Sequence, residues 1–544
     1  MRSALNLKGL AAGVAALGIV IGLGVPSQAQ PKAPLDLDQG WDAGTSAAFW
    51  FGSQGSQIML ESWFMTLEQG ASTSLLSDAG FLERLGFIGV QGYKVPIGFA
   101  VDIDRQSGDR YIGLTCAACH TARLTIEGRP AIVEGGPSMA DFSGFLDAMV
   151  ASAASTVDQD DKFKRFADRL HVPPGQYTDL HDRLEKLARN LTDRRTQNAP
   201  KERYGFGRVD AFGHIFNRVF ATAIDAPDNA RLADAPVSYP FLWDTPFPMH
   251  TKVQWNHSAP NAFGGDLVRN VGELLGVFGV FDLHEDTSRG VPNYPKSSVD
   301  LEKLRGLEGL VKDLKSPVWP GDLSPRMKIN PTLAAEGKSI YEKRCDDCHQ
   351  PIKRADPLRN AHDNLKAVGT DATMAENHAR RLSESLRTGI LEGRPKLLVE
   401  KFKAQASGDD ILVHVLAGVI RGQLGPRDEP ARTADERVPS IAMKAPKIGY
   451  KARSLNGIWT TAPYLHNGSV PTLDNLLSKE RGPGFWISSS NTFDPEKVGL
   501  VNQQTEGAFW FDTTKDGNRN IGHTFGTDLK PEQKKALIEY LKTL

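Results

Sequence analysis

Cysteine is scarce in this chain of 544 residues, and neither sign of charge is in large excess. The sequence has four cysteines, 64 basic residues and 65 acidic residues, which gives a formal net charge of −1. Such a balance offers no extended basic or acidic surface, so it argues against a protein that binds nucleic acid or an anionic membrane. After the N-terminus, the sequence has no apolar run long enough to cross a bilayer.

The N-terminal segment has the pattern of a cleaved export signal. Arg2 and Lys8 form a basic start, residues 10–25 form an uncharged apolar run, and small residues follow up to Ala29. A membrane anchor is the alternative, but this run of 16 residues is shorter than the roughly 20 that a spanning helix needs. We therefore predict a signal peptide over residues 1–29 and a periplasmic or secreted protein that is not integral to the membrane after cleavage.

All four cysteines fall in two copies of one pattern, CAACH and CDDCH, and none is left over. Cys-x-x-Cys-His is the attachment signature of c-type haem, because two thiols bond one porphyrin edge and the next imidazole ligates the iron. A thioredoxin-like dithiol does not explain two copies each followed by histidine, and a zinc site would need ligands more than 200 residues apart. We predict two covalently bound haem c groups, attached through Cys116, Cys119, Cys345 and Cys348, with His120 and His349 as iron ligands.

The second motif lies in a context that predicts a helix before it and a helix at the C-terminus. Asn330 and Pro331 are typical of a helix cap and first turn, and Leu333, Gly337 and Tyr341 recur every four residues up to the motif. The last residues, PEQKKALIEYLKTL, have an amphipathic helical pattern. This arrangement resembles the cytochrome c fold, in which these two helices cross. We assign residues 325–544 to a C-terminal cytochrome c domain.

The first motif is preceded by a short strand-like run and followed by a predicted hairpin that turns at Gly128. Helical patterns come next, including residues 142–149, 180–191 and 301–314, and prolines at 317–325 mark a boundary. The predicted fold class is mainly α with extensive loops, built from two cytochrome c-like haem domains. The N-terminal haem domain, residues 30–320, is the one enlarged by insertions.

Five sequence motifs together resemble the di-haem cytochrome c peroxidase superfamily and are most similar to its rubber-oxygenase-like branch. They are GLTCAACHT, VEGGPSMADF, FLWDTPFP with VQWNHSAP, RNVGELLGVFG, and GYKARSLNGIWTTAPYLHNGSVPTL. The resemblance extends from about residue 40 to the C-terminus. It implies two cytochrome c-like domains with their haems facing a shared interface. It also implies one haem with an open or weakly held sixth position and one haem with two protein ligands.

The resemblance gives the sixth position of the C-terminal haem to His466. In the bacterial peroxidases a methionine takes this role, and its place falls on Gly449 here. Tyr450 is one rival, since a tyrosine takes the role in a related maturation enzyme, and Met443 is another. In the rubber-oxygenase branch the ligand is the histidine of the APYLHNGS motif, which is His466 in this sequence. A loop histidine satisfied by water or backbone is the alternative for His466.

Candidate residues around the N-terminal haem each have a functional and an ordinary interpretation. Trp255 suits an electron relay or plain core, and His257 suits a ligand, an acid/base group or a surface histidine. Glu273 suits a base that moves a proton across bound peroxide, or a helix-surface glutamate. Arg269 and Arg453 suit donors to haem propionates, or surface arginines.

Together these features predict an exported di-haem c-type cytochrome that acts as a redox enzyme. The N-terminal haem activates hydrogen peroxide or dioxygen, and the C-terminal haem relays or stores electrons. The expected partners are a periplasmic electron donor or acceptor and, for an oxygenase, an organic substrate. The alternative is a pure electron-transfer cytochrome in which both haems are six-coordinate.

Overall fold

The computed structural model describes residues 33–245, 265–283, 296–350, 365–366, 368–394, 396, 400–424 and 449–544. Pro34–Leu544 forms one compact unit. The predicted signal peptide lies outside the described residues, as do Trp255, His257 and Met443. The division into two domains at residues 320–325 stays a prediction.

The fold mixes helix with sheet, and helix is the more abundant of the two. The prediction of a mainly α fold is therefore confirmed only in part: helix is the more abundant, but the fold is mixed and contains many short strands that were not predicted. No helix in the described part of the chain is long and apolar enough to cross a membrane. The α-helices of that part, numbered α1 to α14 in chain order, are Ala43–Phe51, Glu61–Phe64, Ala79–Arg84, Phe142–Asp158, Asp160–Arg169, Tyr177–Gln197, Ala211–Asn217, Gly265–Gly276, Leu301–Asp313, Pro331–Arg344, Thr373–Ser383, Gly408–Leu424, Leu473–Leu476 and Pro531–Leu541.

The strands are short, and all the named pairs are antiparallel. Strands β1 (Met59–Leu60), β3 (Arg110–Leu114) and β2 (Phe99–Ile103) form a three-stranded sheet in that order. The remaining strands pair two by two, including β4 (Thr121–Ile126) with β5 (Arg129–Glu134) and β6 (Arg208–Val209) with β7 (Val237–Ser238). In the described residues β1 to β17 are Met59–Leu60, Phe99–Ile103, Arg110–Leu114, Thr121–Ile126, Arg129–Glu134, Arg208–Val209, Val237–Ser238, Phe281–Asp282, Lys296–Ser297, Leu365–Lys366, Ser385–Arg387, Gln405–Ser407, Tyr450–Lys451, Gly484–Ile487, Phe493–Asp494, Gly499–Leu500 and Phe509–Asp512.

Helices α10 and α14 pack against each other at a glycine. A Cβ atom added at Gly337 would lie 1.9 Å from the carbonyl oxygen of Ala536, so the two backbones approach too closely for any other residue. One turn later Tyr341 meets Tyr540, with ring centroids 5.1 Å apart. The Asn330 side chain caps α10 by accepting hydrogen bonds from two backbone N–H groups of the first turn. The predicted cap and the packing of these two helices are confirmed.

The first motif follows strand β3 directly and leads into the β4–β5 hairpin. This hairpin turns at Glu127 and Gly128, both with positive φ, as the sequence predicted for Gly128. Gly98 supports the motif from the other side, because a Cβ there would lie 2.3 Å from the Cα of Ala118. The first motif is thus supported by β3, the β4–β5 hairpin and Gly98, whereas the second motif is supported by α10 and α14.

One apolar core contains residues from both halves of the chain. Val133 of the β4–β5 hairpin and Leu537 of α14 belong to the same buried cluster. Trp319, from the segment predicted as a linker, packs edge-on against Trp459, with centroids 5.2 Å apart, and Trp459 in turn meets Phe493. Burial of this continuous apolar surface holds the surroundings of the two motifs in a fixed relation.

Candidate functional site

The CAACH motif forms a tight turn at the end of β3. The Thr115 hydroxyl accepts a hydrogen bond from within the single 3₁₀ turn Cys116–Ala118, and the His120 N–H donates to the Cys116 carbonyl at 2.9 Å. Burial raises the pKa of Cys116 and of Cys119 to about 12. The turn therefore presents two neutral thiols and the following imidazole as one group.

The ring of His120 is oriented by a backbone carbonyl from a distant segment. Its Nδ1–H donates to the carbonyl of Pro240 at 2.8 Å, which leaves Nε2 available to bind a metal. Burial and, to a smaller extent, the charges of Arg269 and Arg453 lower the pKa of His120 to about 4, although the hydrogen bond to Pro240 acts in the opposite direction. The ring is neutral at pH 7, as a metal ligand must be.

The CDDCH motif makes the same arrangement on a different support. Cys345 ends α10, and the His349 N–H donates to its carbonyl at 2.9 Å. The Nδ1–H of His349 donates to the carbonyl of Arg453 at 2.7 Å, and the Tyr341 hydroxyl donates to the carbonyl of His349. Burial lowers the pKa of His349. Both histidines thus offer Nε2 from a neutral, oriented ring.

A cavity of about 420 Å³ lies over the second motif. Cys345, Cys348 and His349 line it together with mostly apolar side chains, and His466 and His523 line it as well. A volume of several hundred Å³ is typical of a cofactor pocket. Thiols beside an oriented imidazole in an apolar cavity fit a covalently attached haem.

The loop that carries His466 is pinned by backbone bonds on both sides. Tyr464 and Val470 form a β-bridge across the loop, and Ser238 donates its N–H to the His466 carbonyl at 2.9 Å. The His466 ring stacks on Tyr450, with centroids 3.8 Å apart and planes at 17°. Burial lowers the pKa of His466 to about 4, so the loop brings a neutral imidazole to the cavity wall.

Tyr450, the rival to His466, has its hydroxyl group committed elsewhere. It donates a hydrogen bond to the carbonyl of Asp371 at 2.6 Å, and burial raises its pKa far above the ordinary value for tyrosine. A neutral phenol held in this way supports the His466 ring through the stack. This favours Tyr450 as a neighbour of the cavity histidine over Tyr450 as a ligand.

Residues 237–245, which we call the shared segment, contact both motifs. Tyr239 interacts with the Cys119 thiol, and Pro240 holds His120. Phe241 and Trp243 line the cavity over the second motif, with their rings stacked 4.7 Å apart. One short stretch of chain is therefore a wall of both sites.

Arg453 interacts with the surroundings of both motifs. Its carbonyl holds His349, and its guanidinium donates to the carbonyl of Phe241 at 2.7 Å and lies 3.8 Å from the Phe241 ring centroid. Its charge lowers the pKa of His120. The predicted propionate donor is thus a residue that touches the surroundings of both motifs.

Two further predicted residues, Arg269 and Glu273, lie one turn apart on α8 near the first motif. Arg269 pairs with Glu308 at 2.7 Å and approaches Glu273 at 3.7 Å. Burial and the charge of Glu308 raise the pKa of Glu273 and Arg269 lowers it, while 41% of the Glu273 side chain stays exposed, as for a residue at the helix surface. The Glu273 charge also raises the pKa of Cys116 and of Cys119, which puts its carboxyl group within electrostatic reach of both thiols.

Two contributors to these sites, Pro240 and His523, were not predicted from the sequence. Pro240 acts through its carbonyl, and a backbone acceptor 120 residues from its partner leaves no pattern in a sequence. His523 lines the cavity, but it lies alone in a glycine-containing loop with no metal-binding spacing around it. The only signal for His523 was its place shortly before the closing helix of a haem domain.

Comparison with known proteins identifies the chain's relatives. A family model described as RoxA-like, cytochrome c-like matches residues 449–487, which include Tyr450, Arg453 and His466. The uncharacterized protein y4iJ of Sinorhizobium fredii (strain NBRC 101917 / NGR234) is 31% identical over 570 residues, which cover 93% of each chain. The chain belongs to the y4iJ family.

A second relative, the uncharacterized protein y4iM of the same organism, is 26% identical over 313 residues. That match covers 54% of this chain and 61% of y4iM. The family-model match at residues 449–487 shows that this y4iJ-family chain carries a RoxA-like cytochrome domain near its C-terminus, of the kind that binds haem c. The match supports the rubber-oxygenase-like branch predicted from the motifs.

Proposed function

We propose that this y4iJ-family protein is an exported di-haem c-type cytochrome that works as a redox enzyme. Hydrogen peroxide or dioxygen reacts at the N-terminal haem, and the C-terminal haem relays or stores electrons. One observation carries the proposal: in both Cys-x-x-Cys-His motifs the histidine Nδ1 bonds a backbone carbonyl, of Pro240 or of Arg453, and Arg453 is hydrogen-bonded to the shared segment. Two redox groups held through one common wall suit electron exchange between them.

In this proposal six motif residues hold the two cofactors. Bound haem supplies a reversible one-electron iron couple and, where a coordination position is open, a place for a small oxidant. The sixth position of the C-terminal haem belongs to a cavity histidine, which the sequence analysis assigns to His466. Two histidine ligands close that iron to substrate, so chemistry falls to the N-terminal haem. The six motif residues are Cys116, Cys119, His120, Cys345, Cys348 and His349.

Around the N-terminal haem, Glu273 has the properties of a group that holds and releases a proton. Its raised pKa keeps the carboxyl group protonated to a higher pH than usual, and Arg269 beside it stabilises the carboxylate once the proton leaves. Arg269 and Arg453 both lower the pKa of His120, so both charges act on the surroundings of the first motif, and the carboxylates of a haem bound there need charged donors. We assign them to the propionates.

The proposed location is outside the cytoplasm, in the periplasm or secreted. The basic and apolar pattern of residues 1–29 supports export, and c-type haem attachment suits a chain delivered there. The proposed partners are a periplasmic electron donor or acceptor, the small oxidant and, for an oxygenase, an organic substrate. Peroxide reduction and oxygenation remain two outcomes of the same site.

A second candidate function is electron transfer without substrate chemistry. The cavity over the second motif offers His466 and His523 in addition to His349, so the C-terminal haem can be six-coordinate, as this function requires of both haems. If the N-terminal iron also has two protein ligands, the protein passes electrons between partners and binds no oxidant. The two functions therefore differ in the coordination of one iron.

The deciding experiment is low-temperature electron paramagnetic resonance of the purified, oxidised, haem-loaded protein, followed by assays of peroxide and dioxygen consumption. One high-spin and one low-spin signal, with consumption of either oxidant, is the result expected for the enzyme. Two low-spin signals in the oxidised protein, one low-spin signal and no high-spin species after one-electron reduction, and no consumption would identify the electron carrier. Glu273→Gln should slow consumption and leave both signals in place.

A further inference from the structure

The rings of His523 and His349 are separated by the distance expected for two imidazoles that bind the same metal. The two centroids are 6.1 Å apart, with planes at 56°, and both residues line the cavity over the second motif. Metal–nitrogen bonds of about 2.0–2.1 Å on each side of one metal put two imidazole centroids roughly 6 to 6.5 Å apart. The observed distance of 6.1 Å lies within the range for two imidazoles that share one metal.

We propose that His523, and not His466, is the sixth ligand of the C-terminal haem. This inference deepens the proposed function and rests on it, because it requires haem c at Cys345 and Cys348. Both predictions put a histidine in the sixth position. They differ in which loop of the chain provides it.

The imidazole of His523 has a nitrogen that lacks a protein partner. Its Nδ1 is buried, and within the described residues it makes no hydrogen bond. Buried polar atoms without a partner are rare in folded proteins, and each calls for an explanation. Because Nδ1 is closed off from the cavity, Nε2 is the nitrogen that this ring can offer to an iron bound there.

The backbone at His523 is held in a conformation that histidine seldom adopts. Its φ is +44°, in the left-handed region, which non-glycine residues enter at an energetic cost. Its N–H donates to the carbonyl of Val368 at 2.9 Å, and its carbonyl accepts from Arg481 at 2.9 Å. Next to it, a Cβ at Gly522 would lie 2.1 Å from the carbonyl carbon of Gly369. The surroundings hold His523 in place against the strain.

His466 has a different environment. One face of its ring is covered by Tyr450 at 3.8 Å, and its carbonyl is tied to Ser238 of the shared segment. This places His466 at the cavity wall next to the segment that contacts the first motif. We infer that His466 borders the haem on the side of the shared segment and leaves the axial position to His523.

The test compares His523→Ala, His523→Met and His466→Ala in the full-length, haem-loaded protein. The readouts are haem per chain, the low-spin electron paramagnetic resonance signal, and the potential of the C-terminal haem. Without its ligand, His523→Ala should lose the low-spin signal of this haem, and added imidazole should restore it. His523→Met should stay low-spin at a higher potential, because methionine ligation raises it. His466→Ala should keep the low-spin signal.

The opposite pattern overturns the inference: His466→Ala loses the low-spin signal, or His523→Ala keeps it. If His523→Ala folds poorly, the rise in potential of His523→Met decides, and an unchanged potential in that variant counts against His523. Failure of the proposed function looks different. In that case the unmodified protein itself carries fewer than two haems per chain, as measured by the pyridine haemochrome spectrum.

Discussion

The two Cys-x-x-Cys-His motifs have the same chemistry on unrelated supports. CAACH follows a strand, leads into a hairpin and is backed by Gly98, whereas CDDCH ends helix α10 and is backed by α14. In both, the histidine N–H bonds the carbonyl of the first cysteine, and Nδ1 bonds a carbonyl more than 100 residues away. The shared requirement is thus an oriented, neutral imidazole beside two thiols. The secondary structure around it is free to differ.

The largest expected effect comes from removing the thiols of one motif at a time. Cys116→Ala with Cys119→Ala, and separately Cys345→Ala with Cys348→Ala, should each leave one covalent haem per chain. The second pair should unfold at the lower temperature, because it empties the 420 Å³ cavity against α10 and α14. Haem content by pyridine haemochrome spectrum and thermal unfolding measure both effects. Loss of both haems from either variant would mean that the motifs do not load independently.

A glycine substitution tests the support of the first motif. Gly98 has φ +91° and no space for a Cβ, since the Cα of Ala118 would be 2.3 Å away. Gly98→Ala should lower the free energy of unfolding by about 4 kcal/mol, through overpacking and left-handed strain together. Gly108→Ala is the control, because Gly108 has φ +76° but open space, and it should cost only about 1 kcal/mol. Equal losses in denaturant unfolding would exclude a tight contact at Gly98.

The corresponding substitution in the second motif's support is Gly337→Ala on α10. The added methyl group meets the backbone of Ala536 and should cost about 3 kcal/mol by forcing α10 and α14 apart. Gly306→Ala on α9 has nothing within 4 Å of the new Cβ, so it should be neutral or stabilise by up to about 1 kcal/mol. The two variants are compared by thermal unfolding. An unchanged unfolding temperature in Gly337→Ala would contradict the close packing of α10 against α14.

Acid sensitivity that is independent of either motif should come in part from His378. This residue is 1% exposed, its ring lies 4.4 Å from that of Phe212, and burial lowers its pKa to about 4. The folded-state pKa lies below the unfolded value of about 6.5, so this contribution is full above pH 6.5 and is lost as the pH falls towards 4. Between pH 7.5 and 5 the free energy of unfolding of the unmodified protein should fall by about 2 kcal/mol more than that of His378→Leu.

Denaturant unfolding of both proteins at the two pH values measures this difference. Haem content serves as the control, since His378→Leu should keep both haems. An equal loss in the variant would assign the acid sensitivity to another group.

The smallest expected effects concern the two caps. Asn330 accepts two N–H bonds at the start of α10, at 3.0 and 3.1 Å, so Asn330→Ala should cost about 1 kcal/mol. Thr115 accepts one bond, at 3.2 Å, and its buried hydroxyl also donates to the carbonyl of Trp50 at 3.2 Å, so Thr115→Ala should cost about as much. Thermal unfolding ranks the two variants. A larger loss at Thr115 would mean that the first motif depends on its cap more than the second does.

Local patterns predicted the parts of this fold that depend on neighbours in sequence. The Asn330 cap, the hairpin turn at Gly128 and the closing helix each follow from a few adjacent residues, and the structure has all three. The spacing of the four cysteines likewise pointed to haem without any knowledge of the fold. These signals are short-range, and a single sequence is enough to read them.

What escaped prediction depends on contacts between distant segments. The carbonyl groups of Pro240 and Arg453 are chemically ordinary, and only folding brings them to His120 and His349. His523 escaped for the same reason, since its interest lies in its distance from His349 and not in its flanking residues. Residues 241–245 of the shared segment belong to the FLWDTPFP motif, yet the contacts of the segment with both sites required the tertiary structure.

The spacing of these hydrogen bonds sets an order of events during synthesis of the chain. Each motif emerges from the ribosome well before the carbonyl that orients its histidine, by 120 residues for His120 and 104 residues for His349. The thiols and imidazoles are therefore complete as chemical groups while their final geometry is still unmade. A cofactor joined at that stage is anchored by its covalent bonds alone, and the later segments of the chain then close around it.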